Sequence, residues 1–169
     1  MSAKVGLPWA LEILLLPAIG VVATVAMTMP LDPGRLTPPD LVYCLMIAWA
    51  VRRPARVPIW AAPALGLLGD VLLMRPIGLG ALGLMLATEA VRRRAAGLQA
   101  APFLLEWLAA AMGYAALVFG MRLVLAVTFA DAPSLARLGV AVAATAVAYP
   151  LVVLGLVWCL GVKAQGAGE

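Results

Sequence analysis

Residues 57–74 read VPIWAAPALGLLGDVLLM, a run in which Asp70 is the only ionisable side chain. What a carboxylate does in such company depends on the solvent around it. Of the 169 residues, 65% are hydrophobic and 12% charged, against roughly 45–50% and about 25% in soluble domains. A chain this short has too much surface for its volume to hide that much apolar material from water. Lipid therefore supplies much of the solvent. The same numbers exclude disorder, which needs a polar and charged chain.

The net charge of +4 does not imply nucleic acid, because the arginines sit in short clusters between apolar runs. That is where a polytopic membrane protein places the charges that set its orientation. Cys44 and Cys159 both lie in apolar segments and read as small buried hydrophobes, with no disulfide framework and no metal cluster. Histidine is absent, which removes the usual general base and the commonest metal ligand. Lys4 precedes an apolar stretch that runs to about Leu31. This is too long for the h-region of a secretory signal, so an uncleaved first helix is expected.

Breaks at Asp32-Pro33-Gly34-Arg35, Arg52-Arg53-Pro54, Arg75-Pro76, Arg92-Arg93-Arg94 and Asp131-Ala132-Pro133 divide the chain into six apolar segments, near 9–31, 39–51, 57–74, 77–91, 102–128 and 135–160. The expected fold is all-α: a single integral membrane domain over 1–169, a bundle of six transmembrane helices. A full span takes about 20 residues. Segments two and four fall short, which leaves complete but short helices or partly re-entrant ones buried against longer neighbours. Continuous apolar runs of this length exclude a membrane β-barrel, whose strands alternate in polarity.

Charge counting favours six crossings. With a cytoplasmic N-terminus, one side holds Lys4, Arg52, Arg53, Arg56, Arg92, Arg93, Arg94 and Lys163; the other holds Arg35, Arg75 and Arg137, with Arg122 near the end of a span. Such a bias is the positive-inside pattern, and it puts both termini in the cytoplasm. Trp9, Trp49, Trp60, Trp107 and Trp158 all fall near the cytoplasmic ends of segments, the expected level for an interfacial aromatic belt. Arg52, Arg53, Arg56, Arg92, Arg93 and Arg94 are accordingly expected to set topology and meet anionic membrane lipid.

Ala62, Gly66 and Gly69 form a small-residue stripe on segment three, the pattern that lets helix backbones approach closely. Ala109 with Gly113 and Gly139 with Ala143 repeat it. Packing within the bundle and contact with a partner are the two readings, and a homo-oligomer stays open. Pro17 and Pro150 are expected to kink segments one and six, while Pro63 sits near the start of segment three.

Asp70 lies about 20 Å along its segment from Val57, toward the non-cytoplasmic side. An unpaired carboxylate there would cost a few kcal/mol at least, so a partner is expected. Arg122, at comparable depth in segment five, ranks first; Arg75 ranks second, and Arg35 is also within reach. Asp40 follows Pro38-Pro39 and reads first as a helix cap and second as a member of a polar outer cluster with Asp70. Glu89 stands at i,i+3 and i,i+4 to Arg92 and Arg93, a modest interfacial pair. Glu12 and Glu106 carry weaker claims. No catalytic residue, cofactor site or metal site is expected, because no base, nucleophile or ligand cluster accompanies these carboxylates.

The order Pro39-Asp40, Trp49, Arg53-Pro54, Gly66-Leu-Leu-Gly69-Asp70 and Pro76-Ile-Gly78-Leu resembles the rod shape-determining MreD family, in detail from Pro38 to Arg94. This chain departs from the family at Leu73 and Met74, where a serine or glycine pair is frequent. The resemblance implies an inner-membrane, non-catalytic assembly subunit of the machinery for peptidoglycan elongation. It implies MreC as direct partner, with MreB, RodA and its transpeptidase as wider members of the complex. It also implies a fold similar to the membrane subunits of energy-coupling-factor transporters, which keeps a small-molecule (vitamin-type) binding subunit as the alternative.

Overall fold

The computed structural model describes residues 9–28, 37–128 and 133–160. Among these residues the chain forms six α-helices and no strands: α1 (Trp9–Thr28), α2 (Leu41–Arg52), α3 (Ala61–Leu72), α4 (Leu79–Ala100), α5 (Phe103–Val127) and α6 (Leu135–Leu160). A 3-10 turn over Pro54–Arg56 joins α2 to α3.

Helix ends follow local chemistry. Asp40 caps α2, its Oδ1 accepting the Tyr43 N–H at 2.9 Å. At the far end Pro54 forces Arg53 out of the helical region, to φ −138° and ψ 60°. Ala101 likewise turns extended before Pro102, so a two-residue link reverses the chain between α4 and α5. Short links of this kind place successive helices antiparallel.

Helix α2 is the centre. It touches α1, α4, α5 and α6, and all of its residues from Val42 to Arg52 are buried. At 12 residues it is about 18 Å long, well short of a bilayer core. It needs no such length, since protein surrounds it on every side. The apolar run at 39–51 is thus enclosed by other helices of the chain.

Two helices are long and apolar enough to cross a membrane, Phe103–Val127 and Leu135–Trp158. Their apolar side chains point outward: Leu104, Leu108, Met112, Phe119 and Leu123 on α5, and Val140, Val147, Leu151 and Leu154 on α6, are all exposed. A core helix of a soluble protein would bury these groups. Exposed apolar area on this scale calls for an apolar solvent.

Two expectations about segments change. The fourth helix does not stop at Val91 but runs through Arg92-Arg93-Arg94 to Ala100. Charge ends an apolar run without ending a helix, because arginine is a good helix former. Pairs from Glu89 to Arg92 and Arg93 also brace that turn, at 2.7 and 2.8 Å. The third helix starts only at Ala61, since the 3-10 turn and Pro58 occupy the residues before it.

The aromatic belt is also revised. Trp60 and Trp158 are exposed, but Trp49 is completely buried in the core. Trp107 donates its indole N–H to the Ala146 carbonyl on α6 at 2.7 Å. That carbonyl is the one left free by Pro150, which has no N–H to offer it. The ring of Trp107 therefore repairs the α6 ladder. The side chain of Trp9 lies outside the described residues.

Candidate functional site: the polar ties of the bundle

Asp70 is 1% exposed, and neither Arg122 nor Arg75 pairs with it. Its Oδ2 accepts three backbone N–H groups at the start of α4: Gly78 at 2.9 Å, Gly80 at 3.1 Å and Ala81 at 3.3 Å. A helix start leaves its first N–H groups without partners, and here Gly78, in the N-cap position, has no side chain to supply one. The Leu79 N–H bonds to the Pro76 carbonyl and the Leu82 N–H to the Gly78 carbonyl. Every N–H of that first turn is thus accounted for. A carboxylate is also favoured there by the helix dipole. The acid in the middle of an apolar run is the N-cap of the next helix, supplied from α3.

Glycines make this approach feasible. A methyl group at Gly80 would overlap Asp70 Oδ1, and one at Gly66 would overlap the Ala81 backbone. Gly66 thus sits where α3 and α4 pack backbone to backbone, and Ala62, four residues before it, is buried. Gly69, the third member of the expected stripe, faces nothing within 4 Å among the described residues, and the same holds for Gly139. Gly113 serves a side chain, since a Cβ there would stand 2.7 Å from the Tyr43 hydroxyl. That hydroxyl donates to the Ala110 carbonyl at 2.9 Å.

The α3–α4 turn is closed by a Schellman arrangement. The Arg75 N–H bonds to the Asp70 carbonyl at 2.9 Å, with Met74 in the left-handed region at φ 52°. At this position the chain departs from its resemblance, and a β-carbon occupies a conformation that glycine takes more cheaply.

Asp40 does more than cap. Its own N–H donates to Thr145 Oγ1 on α6 at 3.0 Å, and its Oδ2 lies 3.6 Å from Arg75 Nη1. Both readings of Asp40 therefore hold in part, since Asp40, Asp70 and Arg75 also border one cavity of about 40 Å³, room enough for a water molecule. Arg122 has another role: its Nη1 donates to the Pro133 carbonyl, tying α5 to the residues just before α6. Arg35 lies outside the described residues.

A second tie stands at the opposite end. Arg52 is buried, its Nη1 2.7 Å and its Nη2 3.3 Å from the two carboxylate oxygens of Glu106. The Tyr149 hydroxyl donates to the same carboxylate at 2.6 Å. Three helices, α2, α5 and α6, meet in this cluster. Arg52 is in the last turn of α2 and Glu106 in the first turn of α5, so each charge complements its own helix dipole. Arg52 therefore does not meet lipid headgroups as expected, and Glu106 carries more than its sequence position suggests. Gln99, near the end of α4, donates to the Val51 carbonyl beside it. Among the other cluster arginines, Arg53 ends α2, Arg56 ends the 3-10 turn, and Arg92 and Arg93 pair with Glu89. Arg94 is exposed on α4.

These features define an all-helical membrane protein in which buried polar groups join one helix to another. Residues 5–160 of the 169 match the family described as rod shape-determining protein MreD, and the chain belongs to that family. Its role is accordingly in rod-shape determination. No curated protein and no solved structure matches the chain significantly.

Proposed function

We propose that the chain is a non-catalytic assembly subunit of the peptidoglycan elongation machinery, one bacterial inner-membrane unit of six crossings with both termini cytoplasmic. In this reading it binds MreC and through it connects MreB to RodA and its transpeptidase. One observation carries the proposal: the buried carboxylates are taken up by helix ends and by a helix-joining ion pair. Groups held that way tie one helix to the next, which is what a stiff scaffold needs.

The surface offered to MreC is the α3–α4 turn, where Asp70 fixes the backbone and Met74 and Ile77 project with 94% and 76% exposure. Apolar side chains on a rigid turn make good anchors for a partner at the membrane edge. The arginine clusters at 52–56 and 92–94 give the cytoplasmic orientation, with Arg52 excepted by its burial. The test is co-purification of MreC with a tagged chain after gentle extraction. Met74→Ser with Ile77→Ser should cut recovery several-fold without moving the thermal midpoint. Asp70→Asn, which can still accept hydrogen bonds, should reduce it far less than Asp70→Leu. Equal recovery from all four proteins would end the proposal.

The alternative, a small-molecule-binding transporter subunit, has in its favour a cavity of about 560 Å³ between α4 and α5. Its walls are largely leucine, alanine and glycine, which suits an aliphatic ligand better than a polar vitamin.

A further inference from the structure

At the end of the bundle where α2 begins, a pocket of about 350 Å³ opens among α4, α5 and α6. Its walls include Leu117, Val118, Leu125 and Leu138, and its rim carries Arg75, Arg122 and Arg137. Three arginines and a single carboxylate, Asp40, line it, and the Asp40 Oδ2 is 3.6 Å from Arg75. Arg137 is exposed and makes no ion pair among the described residues. Arg122 spends one nitrogen on the Pro133 carbonyl, which leaves most of its five donors for another acceptor. The pocket shares Leu79, Leu117 and Met121 with the α4–α5 cavity, so the two lie side by side along the same helices. From Leu79 to Leu98 that cavity follows α4 for roughly 28 Å, longer than the roughly 15 Å of hydrocarbon in one leaflet, so one acyl chain fits along it.

We propose that the pocket and the adjoining α4–α5 groove together bind one anionic phospholipid, its phosphate held by Arg75, Arg122 and Arg137 and an acyl chain laid along α4 and α5. Charge complementarity selects this occupant. Guanidinium forks match phosphate oxygens in pairs, and the leucine and glycine walls beyond them match a hydrocarbon tail. A second copy of this chain, itself at +4, brings no surplus of anions to that rim. The inference goes beyond the assembly reading and does not depend on MreC.

Native mass spectrometry of the detergent-purified chain tests it, with phosphatidylglycerol and phosphatidylcholine of identical acyl chains as probes. The wild type should bind phosphatidylglycerol about tenfold more tightly, as expected for charge-assisted bonds to phosphate without a compensating choline. The double variant Arg122→Gln/Arg137→Gln should lose that preference yet still bind both lipids weakly. Arg93→Gln, at the other end of α4, should keep it, and Ala116→Phe, which narrows the groove, should weaken both lipids. Equal wild-type affinities, an unchanged preference in the double variant, or a preference lost in Arg93→Gln would each overturn the proposal. Two further results would do the same: glycerol 3-phosphate binding as tightly as the whole lipid, or a lipid-free dimer occupying the groove.

Discussion

The Trp107 indole N–H on α5 lies 2.7 Å from the Ala146 carbonyl on α6, four residues before Pro150. Proline breaks the ladder of one helix, and a tryptophan on its neighbour repairs it. Trp107→Phe should therefore cost about 1–3 kcal/mol, the cost of a buried carbonyl left unpaired. In a Pro150→Ala background the new N–H takes over, and the same substitution should cost clearly less. A double-mutant cycle read by unfolding in mixed micelles measures the coupling. Additive effects would show that the indole bond does not serve the broken ladder.

Gly80 and Asp70 form a matched pair, because a Cβ at Gly80 would collide with the carboxylate that caps α4. Gly80→Ala should lower the unfolding free energy by about 1–3 kcal/mol, through overpacking. In an Asp70→Ala background the carboxylate is gone, and Gly80→Ala should then be close to neutral. Equal cost in both backgrounds, from the same micelle unfolding, would mean that the glycine is needed for a reason other than the cap.

How far these ties were legible beforehand follows from what sequence records. Helices α5 and α6 could be read from length and apolarity alone. The character of α2 could be read but its surroundings could not, because a lipid bilayer and a protein core ask for the same residues. The need of Asp70 for partners is legible in the sequence, whereas the identity of those partners is not. Counting charges points to arginines, but the donors are backbone N–H groups eight to eleven residues later. Gly78 and Gly80, a bare N-cap and a space beside it, were the available signal. Arg52 and Glu106 are 54 residues apart, with no periodicity to connect them. Pro150 did announce an orphan carbonyl, but nothing in the sequence pointed to Trp107.

The Arg52–Glu106 pair is expected to matter more when half broken than when wholly replaced. Arg52→Leu leaves a carboxylate buried with only the Tyr149 hydroxyl and should destabilise by about 3–5 kcal/mol. Arg52→Leu with Glu106→Leu and Tyr149→Phe removes all three polar groups and should recover most of that loss. Midpoints of thermal unfolding in one detergent provide the comparison. A triple variant as unstable as the single one would mean that the cluster holds α2, α5 and α6 by geometry that apolar packing cannot reproduce.

Met74 is the most direct test of the α3–α4 turn. Its left-handed backbone, φ 52°, costs an L-residue about 1–2 kcal/mol relative to glycine. Its side chain is 94% exposed, so truncation sacrifices little packing within the chain. Glycine also loses more conformational freedom on folding, which returns roughly 0.5–1 kcal/mol of the gain. Met74→Gly should thus stabilise the isolated protein modestly, and Met74→Val, β-branched and poorly suited to positive φ, should destabilise it. The two requirements on this residue then separate. If Met74 is an anchor for MreC, the glycine variant will be the more stable protein and the weaker partner. Measuring the unfolding midpoint and the MreC recovery on the same preparation decides it, and a variant that gains or loses both together would remove Met74 from the contact surface.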